Sequence, residues 1–167
     1  MACNLTQGFT LDCKDAVGGI KSIHLINWAS TGFSVGGGEV TATTVTGGVY
    51  TYELPKGTGS MVITTNVSTE NGTSFNQADV AFKLRRLSTT KRNELKLLAA
   101  ARVFCIVIDN NGDGWLAGYE YGCDVTAMTA NTGTAMGDSV GYEVTLSAIE
   151  AQAPYKVQGS VLTTLGI

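Results

Sequence analysis

At 167 residues, with 44% hydrophobic and 15% charged side chains, the chain suits a single domain, 1–167, built around one core. A net charge of −3, with no Lys/Arg cluster interleaved with aromatics, excludes a protein that grips nucleic acid tightly. The longest unbroken apolar run, Val103 to Ile108, is far short of the roughly 20 residues that span a bilayer. The N-terminus also lacks the basic-then-apolar order of a signal peptide, so no membrane partner is expected.

Thr, Ser, Asn and Gly replace the missing charge, and the β-branched and aromatic content favours strands, with helix the minority state. Ile23, Leu25 and Asn27 alternate with His24, Ile26 and Trp28, and Tyr50, Tyr52 and Leu54 with Val49, Thr51 and Glu53, the period of half-buried strands. Met61, Ile63, Thr65 and Val67 continue it. After a polar stretch, Ser68 to Ser74, it resumes with Val80, Phe82 and Leu84 inward and Ala81, Lys83 and Arg85 outward. This spacing predicts a long hairpin with a hydrophilic tip.

From Thr90 to Ala101 the period changes to that of a helix, with Leu95, Leu98 and Ala99 on one stripe and Ser88 or Thr89 as cap. It is expected to be the one sizeable helix. Val103 to Ile108 then reads as a strand covered on both faces, with that helix as a candidate cover. A turn at Asn110 to Gly114, a segment Trp115 to Tyr121, an alternating strand through Tyr142, Val144, Leu146 and Ala148, and a last strand from Lys156 to Leu165 complete the order. Gly36 to Gly38, Gly57 to Gly59 and Ala130 to Gly141 read as loops. The fold class expected is mainly β, a sandwich or barrel of two antiparallel sheets with a flanking helix.

Asp109-Asn110-Asn111-Gly112-Asp113-Gly114, closing at Glu120, satisfies the calcium-loop pattern, in which Asp109, Asn111, Asp113 and Glu120 would supply hard oxygen ligands. An EF-hand, however, needs a helix on each side, and the flanks here are strand-like. A β-hairpin turn is therefore expected, with no metal. His24 is the sole histidine, which removes most triad and two-histidine designs, and it sits among Ile23, Leu25 and Ile26, where a packed side chain is expected. No nucleophile elbow occurs, and Gly36-Gly37-Gly38 lacks the lysine of a phosphate loop. Asp12, Asp15, Glu53, Asp79 and Glu143 form no spacing that defines an acid/base pair. No enzyme activity and no cofactor are expected. Cys3, Cys13, Cys105 and Cys123 form no CxxC pair, so free thiols are expected.

From Phe75 to Tyr155 the order of pieces is distinctive. Phe75-Asn76-Gln77 enters a long strand, and the short helix Asn93 to Ala101, the apolar strand Val103 to Ile108 and the hairpin Asp109 to Gly118 with Trp115-Leu116-Ala117-Gly118 come next. Thr132-Gly133-Thr134-Ala135-Met136-Gly137-Asp138 follows, then Gly141-Tyr142-Glu143-Val144-Thr145-Leu146-Ser147-Ala148, Glu150 and Ala153-Pro154-Tyr155. In this order the chain resembles the tail tube (major tail) protein family of tailed bacteriophages and related contractile injection systems.

The resemblance implies a virion structural protein that self-associates into rings, usually hexameric. The rings would stack into a tail tube through which DNA passes without tight binding, assembled in the host cytoplasm beside other tail proteins. By the same analogy the hairpin tip, with Thr69, Glu70, Asn71, Gly72 and Thr73, and the loop Asn131 to Gly141, with Asn131, Thr132, Gly133 and Asp138, are candidates for ring-to-ring contact. Both are rich in small polar residues that would be mobile alone. A Cys3 to Cys13 bridge in the finished particle is an alternative to free thiols. Other tail or neck rings, a terminator or connector, belong to the same class of reading. From a different class, a secreted adhesive or carbohydrate-binding β-sandwich would also show exposed Tyr50, Tyr52 and Trp115.

Overall fold

The computed structural model describes residues 4–167. Among these residues eleven strands and two helices form a mainly β fold of two sheets. The large sheet comprises β1 (Ile20–Asn27), β2 (Phe33–Gly36), β3 (Glu39–Thr43), β4 (Val49–Glu53), β7 (Val103–Asp109), β8 (Gly114–Ala117) and β11 (Tyr155–Val157), in the order β2-β3-β11-β8-β7-β1-β4. The small sheet, in the order β5-β6-β10-β9, comprises β5 (Gly59–Ser68), β6 (Thr73–Arg85), β9 (Asp124–Asn131) and β10 (Gly141–Glu150). Pairing is antiparallel except between β11 and β3, so the large sheet is mixed where two antiparallel sheets were expected.

The apolar run in β7 explains where the layers lie. Val103, Cys105 and Val107 point into the space between the sheets, against Val80 and Phe82 of β6 and Val144 and Leu146 of β10. Phe104, Ile106 and Ile108 point to the other side, where Ile26, Phe33, Val40, Leu116 and Val161 form a second apolar cluster. The expected single core is thus two clusters separated by the large sheet. A side chain of this kind gains about 1.5–3 kcal/mol on full burial, so burying both faces anchors β7 strongly. The inward alternation of Val80, Phe82 and Leu84 on β6, and of Val144, Leu146 and Ala148 on β10, is as expected.

Helix α1 (Thr89–Ala100) starts where Ser88, in extended backbone, accepts a hydrogen bond from the Lys91 amide at 3.2 Å. Its buried Leu95 and Leu98 join the cluster between the sheets, so it covers the inner side of β7 only. The outer cluster is closed instead by a second helix. Lys156 to Leu165 is not one strand: β11 ends at Val157, and α2 (Gly159–Leu165) follows. Val161, Leu162 and Leu165 fall on one helical face against the outer cluster. Gly166 in the left-handed conformation (φ 77°) ends the helix, with the Ile167 amide donating to the Leu162 carbonyl. Tertiary packing here overrides the strand preference of a Val/Thr-rich segment. The loop expected over Ala130 to Gly141 is also shorter, because β9 runs through Asn131.

Candidate assembly surfaces

Four strands end the two sheets. Among the described residues, β2 and β4 each pair on one side only in the large sheet, and β5 and β9 do so in the small one. An unpaired edge offers a row of main-chain donors and acceptors to another strand. Soluble proteins usually blunt such edges with charge, proline or brevity. Ten-residue β5 carries no charged residue and no proline, and eight-residue β9 carries one charge, Asp124 at its start. Proline is absent from both edges and charge nearly so, and the one irregularity is a bulge at Thr126 of β9.

The small sheet also places the two sequence-predicted contact regions at opposite ends. β5 and β6 pair from Gly59↔Phe82 to Ser68↔Thr73, whereas β10 leaves β6 at Glu150↔Asn76. Beyond that row Ser74, Phe75, Asn66 and Val67 form a two-stranded ribbon that carries Thr69, Glu70, Asn71 and Gly72 at its tip, with Thr73 opening β6. Val67 and Phe75 are exposed along it, and a ribbon of this kind is marginally stable without further packing. Ser68 accepts a hydrogen bond from the Asn71 amide at 3.3 Å, and Gly72 adopts φ 62° to turn the chain.

At the other end Gly141 pairs with both Arg85 and Asn131. The loop between β9 and β10 is organised by its own side chains. Asp138 accepts from the Thr134 and Ala135 amides at 2.8 Å each, which holds its carboxyl below the usual range, and Asn131 accepts from the Gly133 amide at 2.8 Å. Two of the candidate contact residues therefore shape the loop itself. Thr132 is exposed, Gly133 is half-buried close against Asp138, and Met136 is fully exposed. The 13-residue strand β6 separates this loop from the hairpin tip by roughly 40 Å at 3.3 Å per residue.

The calcium-like segment is a hairpin turn between β7 and β8. Asp109 Oδ1 accepts from the Asn111 and Asp113 amides at 2.9 Å, and Asp113 pairs with Lys156 at 2.8 Å. Asn111 is occupied with the Val17 backbone, donating through Nδ2 at 3.1 Å and accepting through Oδ1 at 2.8 Å. Glu120 lies past the far end of β8. Among the described residues no group of three His, Cys, Asp or Glu stands close enough to hold a metal, and no helix is long and apolar enough to cross a membrane.

His24 is buried, its Nε2 2.9 Å from Ser22 Oγ and its Nδ1 3.0 Å from Thr51 Oγ1, and burial lowers its pKa, which keeps the ring neutral at neutral pH. Cys105 and Cys123 are buried, free thiols. Burial pushes Cys105 up to about 12 and Cys123 well above its usual value, so neither is a nucleophile at neutral pH. Cys13 is an exposed free thiol, and Cys3, and with it the alternative Cys3 to Cys13 bridge, lies outside the described residues.

One structural carboxylate escaped functional notice in the sequence, because only the fold brings its partners to it. Glu150, buried at the end of β10, accepts from the Glu120 and Tyr121 amides at 2.7 and 3.2 Å and so pins the segment between β8 and β9. Burial raises its pKa, and the backbone donors offset this only in part. The folded state thus holds its proton more tightly than the unfolded chain. Stability should fall as pH rises from the unfolded value near 4.5 through the raised one, then level off. Glu150→Gln is expected to lose that slope and, at pH 7, to unfold in urea at or above the wild-type midpoint. A lower midpoint at pH 7 would mean that the charge-assisted bonds outweigh the cost of burial. No family model, no curated protein and no solved structure matches the chain.

Proposed function

We propose that the chain is a virion structural subunit that assembles into stacked rings, the building block of a phage-type tail tube, and that it acts without catalysis. The observation that carries this reading is the layout of the small sheet. It has two long edges at its sides without proline and nearly without charge, β5 and β9, and two polar projections at its ends, the hairpin tip and the 131–141 loop. Such a sheet can be continued sideways by pairing β5 of one copy with β9 of the next. That contact is head-to-tail, and a head-to-tail contact closes into a ring when its rotation permits. The ends then meet the rings above and below. A conduit for DNA must not hold phosphate tightly, and the chain's mild net negative charge is compatible with that.

Negative-stain microscopy of concentrated protein tests the reading directly. Hollow tubes or stacked rings are expected, and persistent monomers that bind a glycan would favour the adhesive-module alternative. Trimming Thr69 to Thr73 should leave a folded protein, since the tip lies outside both clusters, while abolishing polymerisation. Tubes of normal length from the trimmed chain would refute the role of the tip.

A further inference from the structure

From Asn4 to Gly18 the chain forms no helix or strand, and every residue is exposed. Its sequence is nonetheless that of a strand. Leu5, Gln7, Phe9, Leu11 and Cys13 alternate with Thr6, Gly8, Thr10 and Asp12, the period of a segment with one buried side. Yet Leu5, Phe9 and Leu11 are 99%, 94% and 100% exposed. The segment has the pattern of a sheet strand without a sheet.

Its own fold directs it away from one vacant place. Asn111 holds the Val17 backbone at both polar atoms, and Asn110 Nδ2 donates to the Gly18 carbonyl at 2.7 Å, so the arm leaves the body at the β7–β8 turn. That turn lies on the β7 side of β1, whereas the open edge β4 lies on the other side. Beside β4 runs a groove between that strand and α1, floored by Tyr50, Tyr52, Leu54, Leu95, Leu97 and Leu98. Tyr50 and Leu97 are 52% and 64% exposed in it.

We infer that residues 5–13 of one copy add as an extra strand to β4 of a second copy, seating Phe9 and Leu11 in the β4–α1 groove. Both partners bring unpaired main-chain donors and acceptors, and the arm's alternate apolar side chains fall on the side where the groove lies. This is the general mode of strand addition, in which the ladder supplies affinity and the pockets supply register. The contact uses the large sheet, so it does not depend on the ring reading, which uses the small one.

Hydrogen exchange and sedimentation of the full chain, dilute and concentrated, test it against Phe9→Asp/Leu11→Asp. Both side chains are free of the cores in a single copy, so the variant folds, as circular dichroism checks. On association the wild-type β4 amides that face away from β1 should slow by about tenfold or more, and the double variant should lose this protection. The inference is overturned if β4 still exchanges fast in the associated species, or if the variant protects it equally. Protection equal at all concentrations would also overturn it, since that is an arm docked on its own chain. Rings held through β5 and β9 leave β4 exchange unchanged, so the two contacts are read separately.

Discussion

Gly141→Ala is expected to destabilise the protein by about 3 kcal/mol, read as a shift in the urea midpoint at unchanged slope. Gly141 opens β10 and pairs with Arg85 on one side and Asn131 on the other, so it sits in the middle of three strands. A Cβ there would stand 1.9 Å from the Leu84 carbonyl oxygen and 2.9 Å from its carbon. The obstacle is backbone, which cannot rotate out of the way as a side chain can. The three strand ends would have to separate, and with them the base of the 131–141 loop. Gly137→Ala is the matched control: nothing lies within 4 Å of its Cβ position, and a change within about 0.5 kcal/mol is expected. Equal stability of the two variants would mean that the strand ends adjust at negligible cost.

The second large effect is expected from Phe104→Ala, a loss of about 4 kcal/mol. Phe104 is buried on the outer side of β7, with its ring edge-on to Phe33 at 4.9 Å and tilted to Trp28 at 6.4 Å. Gly32 passes so close that its Cβ position lies 2.6 Å from the Phe104 ring, so the backbone of that turn is moulded on the aromatic. The Arg102 guanidinium also stacks over Trp28, 5.2 Å from the ring centre. Removing Phe104 should therefore quench the near-ultraviolet signal of Trp28 and loosen β2, while the cluster between the sheets keeps far-ultraviolet dichroism close to wild type. Ile106→Val, on the same side of β7, removes only one methylene and should cost about 1 kcal/mol. A Phe104→Ala loss no larger than that of Ile106→Val would show that the outer layer collapses around the gap.

Period two was enough to locate most strands, because a strand with one wet side writes its burial into alternate residues. β6 obeys this from Ala78 to Arg85 and β10 from Glu143 to Leu146, and their register puts Val80 opposite Leu146 and Phe82 opposite Val144. The long hairpin, its polar tip and the hairpin turn at Asp109 were legible for the same local reasons. α2 was not, since Val161, Leu162 and Leu165 fit a strand or a short helix equally well until the outer cluster selects one face. β9 was hidden because an edge strand with small polar residues has little burial to alternate. Of the candidate contact residues, the sequence marked two polar regions, and only the pairing of β6 with its neighbours shows that they stand at opposite ends of one sheet.

The sequence by itself determined the β-rich class, a helix at Thr90 to Ala101 capped by Ser88 or Thr89, the doubly covered strand β7 and the polar hairpin tip, all of which follow from side-chain period and turn chemistry over a few residues. Tertiary structure alone decided which strands became edges, the mixed pairing of β11 between β3 and β8, the split of the core into two clusters, and the burial of Glu150 against two amides about 30 residues away. The division has a physical reason. Local pattern records how much of a segment is buried, whereas the identity of the neighbour that buries it is fixed only when distant segments compete for the same face.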